Sequence, residues 1–260
     1  MLWSSLLLSF WVALMVFLIS WLGGRIVWLF WHILQAIPIV RCLGRLILAF
    51  VFFPGVVLHE LCHAAILRLA GFKIVKIWLF PKITETEFEL GSTVPGNGGD
   101  TMFAGYIYAA PLLLGSAVVT LLLHYGFRIP WPLLLRPPEE VLSAFVDVAR
   151  SILSRRSWLM IYLLFALGNG AMPGYTDWQG LCQFLIATFL TLVIASFSIV
   201  TVAFKVLSDP AYVKWWLSLL SMLAIQFTIV AVIDVPVYLV LFFPGSAAQQ
   251  LRRSRLETSS

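Results

Sequence analysis

The chain has 260 residues, of which 61% are hydrophobic and only 11% charged, with a mean hydropathy of +0.98 and a net charge of +5. A soluble domain carries about 25% charged residues, so this composition excludes one and indicates an integral, multi-pass membrane protein. The basic residues are scattered through short loops, and no basic stretch is interleaved with aromatics. The excess charge therefore suits anionic lipid headgroups, and no nucleic-acid partner is expected. Eleven Trp and twenty Phe fit membrane interfaces and lipid-facing helix surfaces.

In chain order, Leu2 to Leu22 reads as a retained membrane helix and not a cleaved signal, since the first basic residue is Arg25. It is expected to end at Gly23-Gly24-Arg25. Ile26 to Val40 is either a short second span or the continuation of a long tilted first helix. His32, close to Trp28 and Trp31, reads as an interfacial or packed residue. Leu46 to Ala70 is a span that Pro54-Gly55 should kink or thin, letting backbone or water approach.

Phe72 to Leu90 changes character, being rich in β-branched and aromatic residues. Two short strands are expected, joined near Pro81-Lys82 and lying at the membrane surface, with Glu85, Glu87 and Glu89 on one side. Gly91 to Asp100 reads as a loop. Thr101 to Tyr125 is a span interrupted at Ala110-Pro111. Residues 139–156 suit an amphipathic interfacial helix with Val141, Leu142, Phe145, Val148 and Ile152 on its apolar side. Trp158 to Leu167 is a half-span running into a Gly- and Pro-rich break, followed by spans at Leu181 to Leu207 and Trp215 to Phe243. Gln249 to Ser260 reads as a polar, disordered tail.

The expected fold is thus an all-α polytopic bundle of about six transmembrane helices with a short membrane-surface β-hairpin. It divides into N-terminal membrane helices (1–45), a core (46–207, including the 72–90 hairpin and the 139–156 helix), a C-terminal membrane helix (208–248) and the tail (249–260). No internal repeat supports an inverted-repeat transporter. Basic residues occur in loops on both sides, so they fix no orientation.

The chemistry-bearing residues are His59, Glu60 and His63, which spell His-Glu-Leu-Cys-His. The segment before them, Leu46 to Leu58, has no charged or hydrogen-bonding side chain. Histidines at i and i+4 share one helix face, with Cβ atoms about 6 Å apart, so both imidazoles can reach one ion. Glu60 is placed to act as general base on a water at that ion. Ionisable groups at membrane depth are expensive and usually functional. Cys62, between the histidines, faces away from their bisector and reads as a packing residue.

A catalytic zinc site normally uses three protein ligands and an open position, so one ligand is missing. Asp177 is the leading candidate, because it follows the break made by Gly168, Gly170, Pro173 and Gly174, and non-helical backbone at membrane depth must line protein or a wet cavity. Asp234 is its rival, although it can equally cap backbone freed by Pro236. Glu85, Glu87, Asp100 and His124 are further candidates.

An intramembrane His-Glu-x-x-His helix, a strand-like segment and a distant Asn169, Pro173 and Asp177 on a broken helix resemble the site-2 protease family of intramembrane zinc metalloproteases. Trp178 stands where that family usually has Gly, with Gly180 two positions later, and Ala110-Pro111 looks like its small-residue-Pro position. The resemblance covers about Leu46 to Leu207. It implies Zn²⁺ held by His59, His63 and Asp177, catalysis by Glu60, and Asn169 holding the substrate backbone or the developing oxyanion. A transmembrane protein substrate would be taken in extended form beside the segment Phe72 to Leu90. The competing readings are a transporter or a degenerate protease homologue acting as a scaffold, a prenyl-peptide-type zinc protease, and a lipid-headgroup or haem site.

Overall fold

A computed structural model describes residues 2–41, 43–80, 82–83, 88–89, 91–95, 104–155, 157–174, 177–178, 180, 182 and 210–257. The protein is mostly helical. Among the described residues, four helices are long and apolar enough to cross a membrane, within Leu7–Ala36, Gly44–Leu69, Gly105–Gly126 and Val213–Leu251. Trp158–Gly170 is a shorter apolar helix. The expected span Leu181 to Leu207 lies, apart from residue 182, outside the described residues, as do Glu85, Glu87 and Asp100.

Helix α1, Leu2–Ala36, runs without interruption through Gly23-Gly24. The residues from Ile26 onward therefore extend the first helix and do not form a second span. In an apolar setting no water competes for backbone groups, so a glycine pair that would end a helix in water does not end it here. Gly23 also faces a neighbour, since a Cβ there would collide with Asn169 Oδ1. A short helix α2, Pro38–Arg41, follows.

Helix α3, Gly44–Leu69, carries Pro54 in its interior without breaking. Proline has no N–H for the carbonyl four residues earlier, which is that of Phe50. The Tyr162 hydroxyl lies within donor distance of that oxygen (3.2 Å) and of Val51 O (3.1 Å), so a side chain from another helix replaces the missing donor. The helix ends at Gly71, whose φ of +84° favours glycine. Gly71 N–H donates to Arg68 O and Phe72 N–H to Leu67 O, the paired bonds of a Schellman motif, and the chain turns towards the strands.

Four strands occur where two were expected: β1 Ile74–Trp78, β2 Lys82–Ile83, β3 Phe88–Glu89 and β4 Ser92–Pro95. β1 pairs antiparallel with β4, setting Ile77 opposite Thr93 and Trp78 opposite Ser92, and β2 pairs with β3. Lys82 and Ile83 thus pair with β3 and not with β1, and residues 92–95 are strand, not loop. The β-branched pair Thr93-Val94 satisfies the ladder, whereas the neighbouring Pro95-Gly96 had given the whole stretch a loop-like composition.

Helix α4, Ala104–Ala110, passes into a π-helical turn at Pro111–Gly115, then α5, Ser116–Leu121, and a second π turn at Leu122–Gly126. After α6, Trp131–Leu134, and a 3-10 turn comes α7, Val141–Arg155. Ala144, Val148 and Ile152 form its buried stripe, while Leu142, expected on that side, is 77% exposed. Helix α8 is Trp158–Gly170, and α9 is a single helix, Pro210–Glu257. The tail read as disordered is thus helical to Glu257. The strong helix formers Ala, Gln, Leu and Arg from 247 onward continue a helix already nucleated by the span.

One apolar core joins Ile26, Leu48, Phe52, Phe165 and Ala166 of α1, α3 and α8. A second joins Ile19, Val119, Val148, Leu164, Ile225 and Val230 of α1, α5, α7, α8 and α9. At the crossing of α3 and α8 the backbones approach closely. A Cβ on Gly55 would collide with the Ala166 carbonyl, and one on Gly170 would lie 2.5 Å from Gly55 Cα. Small residues allow backbones to approach in this way.

This crossing yields a prediction. Gly55→Ala should destabilise the protein by about 1–3 kcal/mol, the usual cost of overpacking, because backbone and not a flexible side chain blocks the methyl. Gly24→Ala meets nothing within 4 Å and should be neutral or stabilising by up to about 1 kcal/mol. Thermal unfolding of the two variants in one detergent checks both. Equal midpoints would contradict the close crossing.

Candidate metal centre

His59 and His63 lie one turn apart on α3, and His59 is also one turn beyond Gly55, on the face that meets α8. That crossing presents the end of α8, where carbonyls lack intrahelical donors. The Nδ1–H of His59 donates to Gly170 O at 3.0 Å. The Nδ1–H of His63 donates to Ile107 O at 2.8 Å. Ile107 lies four residues before Pro111, so its usual helical donor is missing and the imidazole takes that place.

These bonds decide the tautomers. A carbonyl oxygen only accepts, so in both rings the hydrogen sits on Nδ1 and the lone pair on Nε2. The two Nε2 atoms are 3.1 Å apart. Asp177 places Oδ2 at 3.1 Å from His59 Nε2 and Oδ1 at 3.4 Å from His63 Nε2. Asp177 itself is held by its neighbour, since Gly174 N–H donates to Oδ2 at 2.8 Å while Trp178 N–H bonds Gly174 O. This is half of a capping box, with the carboxylate reaching back to the first N–H of a new helical turn.

With both rings neutral, three acceptors therefore face one another, and such a group repels itself unless a proton or a metal ion sits among them. His59, His63 and Asp177 can hold a metal ion. The spacing agrees with that use. Ligand atoms held tetrahedrally at about 2.0–2.2 Å from an ion lie about 3.3–3.6 Å apart; here the two Nε2 atoms are 3.1 Å apart and each lies 3.1–3.4 Å from a different oxygen of Asp177. Asp177 is 4% exposed and His63 9%, so water screens the cluster little.

Glu60 is buried beside this group, at 3% exposure. The Thr93 hydroxyl donates to its Oε2 at 2.6 Å, and Thr93 Oγ1 also lies 3.3 Å from the Glu60 backbone carbonyl oxygen. Strand β4 reaches the carboxylate because Gly91 has no side chain. A Cβ there would come within 2.7 Å of Glu60 Oε1 and 2.8 Å of Val56 Cγ1. Thr93 and Gly91 were missed at the sequence level, where their segment read as a loop.

The other expected site residues lie elsewhere. Asn169 Nδ2 donates to Phe165 O at 3.0 Å and to Asp234 Oδ1 at 2.9 Å, so both amide hydrogens are used and none remains for an oxyanion. Asp234, the rival ligand, pairs with Asn169 and does not join the histidines. His124 bonds Ile129 O and stacks on Trp131, and His32 bonds Trp28 O, as packed histidines do. Cys62 is buried and outside the cluster. Two buried acceptors, Asn169 Oδ1 and Asp234 Oδ2, have no partner among the described residues.

The chain matches no family model, no curated protein and no solved structure.

Protein stripped with a chelator and dialysed should take up one divalent ion per chain, measured by elemental analysis. His59→Ala, His63→Ala and Asp177→Ala should each lose that ion at micromolar free metal. Undiminished uptake by all three variants would show that the ion, if any, binds elsewhere.

Proposed function

We propose that this protein is an intramembrane zinc metalloendopeptidase of the site-2 protease type, hydrolysing peptide bonds of membrane-embedded or membrane-proximal protein substrates. The observation that carries the proposal is the convergence of His59, His63 and Asp177, with ligand atoms within 4.8 Å of one another, immediately beside a buried glutamate on an apolar helix. Two imidazoles and one carboxylate are a donor set that suits zinc, with a fourth position left for water or substrate. Bound zinc would supply Lewis acidity, lowering the pKa of water towards about 7 and polarising a carbonyl.

The protein's own residues would do the rest. The carbonyls of Gly170 and Ile107 orient the imidazoles and fix their tautomers, the usual role of groups one layer behind a metal ligand. Gly174 N–H holds the Asp177 carboxylate. Thr93 fixes Oε2 of Glu60. Glu60 then takes a proton from the attacking water and returns it to the leaving amine nitrogen.

Strand β4 supports a way of presenting substrate. Its only ladder partner among the described residues is β1, and Thr93 lies within it, against Glu60. A peptide strand added along the outer edge of β4 would run past the glutamate. Its backbone would be extended, as hydrolysis requires, because a helix hides its peptide bonds. The two-stranded ladder then serves as a docking edge at the site.

Glu60→Gln separates this reading from a transporter or scaffold. In proteoliposomes containing single-pass transmembrane test substrates, the variant should keep its ion and lose about 10²–10⁴-fold in cleavage rate, the contribution typical of a general base. Wild-type cleavage by Glu60→Gln would refute the assignment. Absence of cleavage by the wild type across a broad substrate panel would favour the non-proteolytic readings.

A further inference from the structure

Asn169 and Asp234 form a buried polar pair that the proposed chemistry does not use. Asp234 is 0% exposed within α9, and among the described residues it has no ion pair. Its Oδ1 accepts from Asn169 Nδ2, and its Oδ2 has no partner. Asn169 Oδ1 is likewise unpartnered, and it points towards Gly23 of α1, where any Cβ would collide with it. The amide cannot be turned around to relieve this, because Phe165 O only accepts and therefore requires the NH₂ group on its side.

Two acceptors are orphaned and one donor is missing. A carboxylate held in an apolar bundle by a single hydrogen bond is the state that burial disfavours most, and such a group neutralises itself by binding a proton. A proton on Asp234 Oδ2 would supply the missing donor and offer it to Asn169 Oδ1. With the existing Nδ2–Oδ1 bond this completes a cyclic pair between a carboxylic acid and a primary amide, in which no acceptor is left over.

We propose that Asp234 is a neutral carboxylic acid that closes a cyclic acid–amide pair with Asn169, and that through it α9 positions the end of α8. Asn169 directly precedes Gly170, whose carbonyl orients His59. Asp234 is therefore a positioning residue, acting on the centre through Asn169 and the backbone of α8. This positioning role rests on the metal-centre reading, whereas the acid–amide pair does not.

Infrared spectroscopy tests the pair without any metal. The difference spectrum between the full-length wild type and Asp234→Asn should show the carbonyl stretch of a carboxylic acid, which lies above the amide I band and shifts in D₂O. Carboxylate bands in its place would mean that Asp234 is ionised and would overturn the proposal.

Zinc titration tests the positioning. Asp234→Asn, whose amide supplies the same donor and acceptor, should bind zinc within about twofold of wild type. Asp234→Leu, similar in size but apolar, should bind about tenfold more weakly, at the lower end of the effect of groups behind a ligand. If Asp234→Leu binds like wild type, or Asp234→Asn binds as weakly as Asp234→Leu, the positioning role is refuted. Should the wild type bind no zinc, the metal-centre reading fails and the infrared result still decides the pair.

Discussion

Three groups, the Nε2 atoms of His59 and His63 and the carboxylate of Asp177, are held together in an apolar bundle where they need a shared cation. Nothing in the side chains alone would keep them so. Each is restrained from behind by backbone: Gly170 and Ile107 carbonyls hold the rings, and Gly174 N–H holds the aspartate. Helix crossings, the turn after α8 and the π-helical turn after α4 gain their purpose from that arrangement. They present backbone groups that an uninterrupted helix would have consumed internally.

Prolines illustrate the same economy. In hydrocarbon a freed carbonyl costs several kcal/mol unless another group meets it. Pro54 deprives Phe50 O of its helical donor, and the Tyr162 hydroxyl lies within reach of it, tying α3 to α8. Pro111 does the same for Ile107 O, and His63 uses it. The Pro173 carbonyl accepts from Ser20, fixing the break beside Asp177 to α1. Of these three contacts only that of His63 touches the centre, while the other two hold the helices that carry its partners.

The sequence discloses what depends on neighbours within one helix. The i, i+4 spacing put both histidines on one face, and the glycines and Pro173 marked the break that Asp177 follows. Features set by partners far along the chain were not legible. Asn169 suggested a substrate contact until Asp234, 65 positions away, claimed its amide. Gly23-Gly24 and the basic tail resemble helix ends only by rules suited to water. The strand at 92–95 was hidden because its reason lies in Glu60, which Thr93 meets 33 positions away.

Thr93 and Gly91 show how closely the strands and the centre depend on each other. A buried glutamate with a single directional donor keeps its orientation only while that donor stays in register, and here the register is set by the pairing of Ile77 with Thr93. A slip of one residue would turn Thr93 to the opposite face and bring Ser92 or Val94 to the carboxylate. Val94 has no donor to offer. Gly91 sets the distance of approach, because any side chain there would push the strand from Glu60 and Val56. The strand proposed to receive an extended peptide thus also holds the carboxylate, so anything that displaces β4 acts on Glu60 as well.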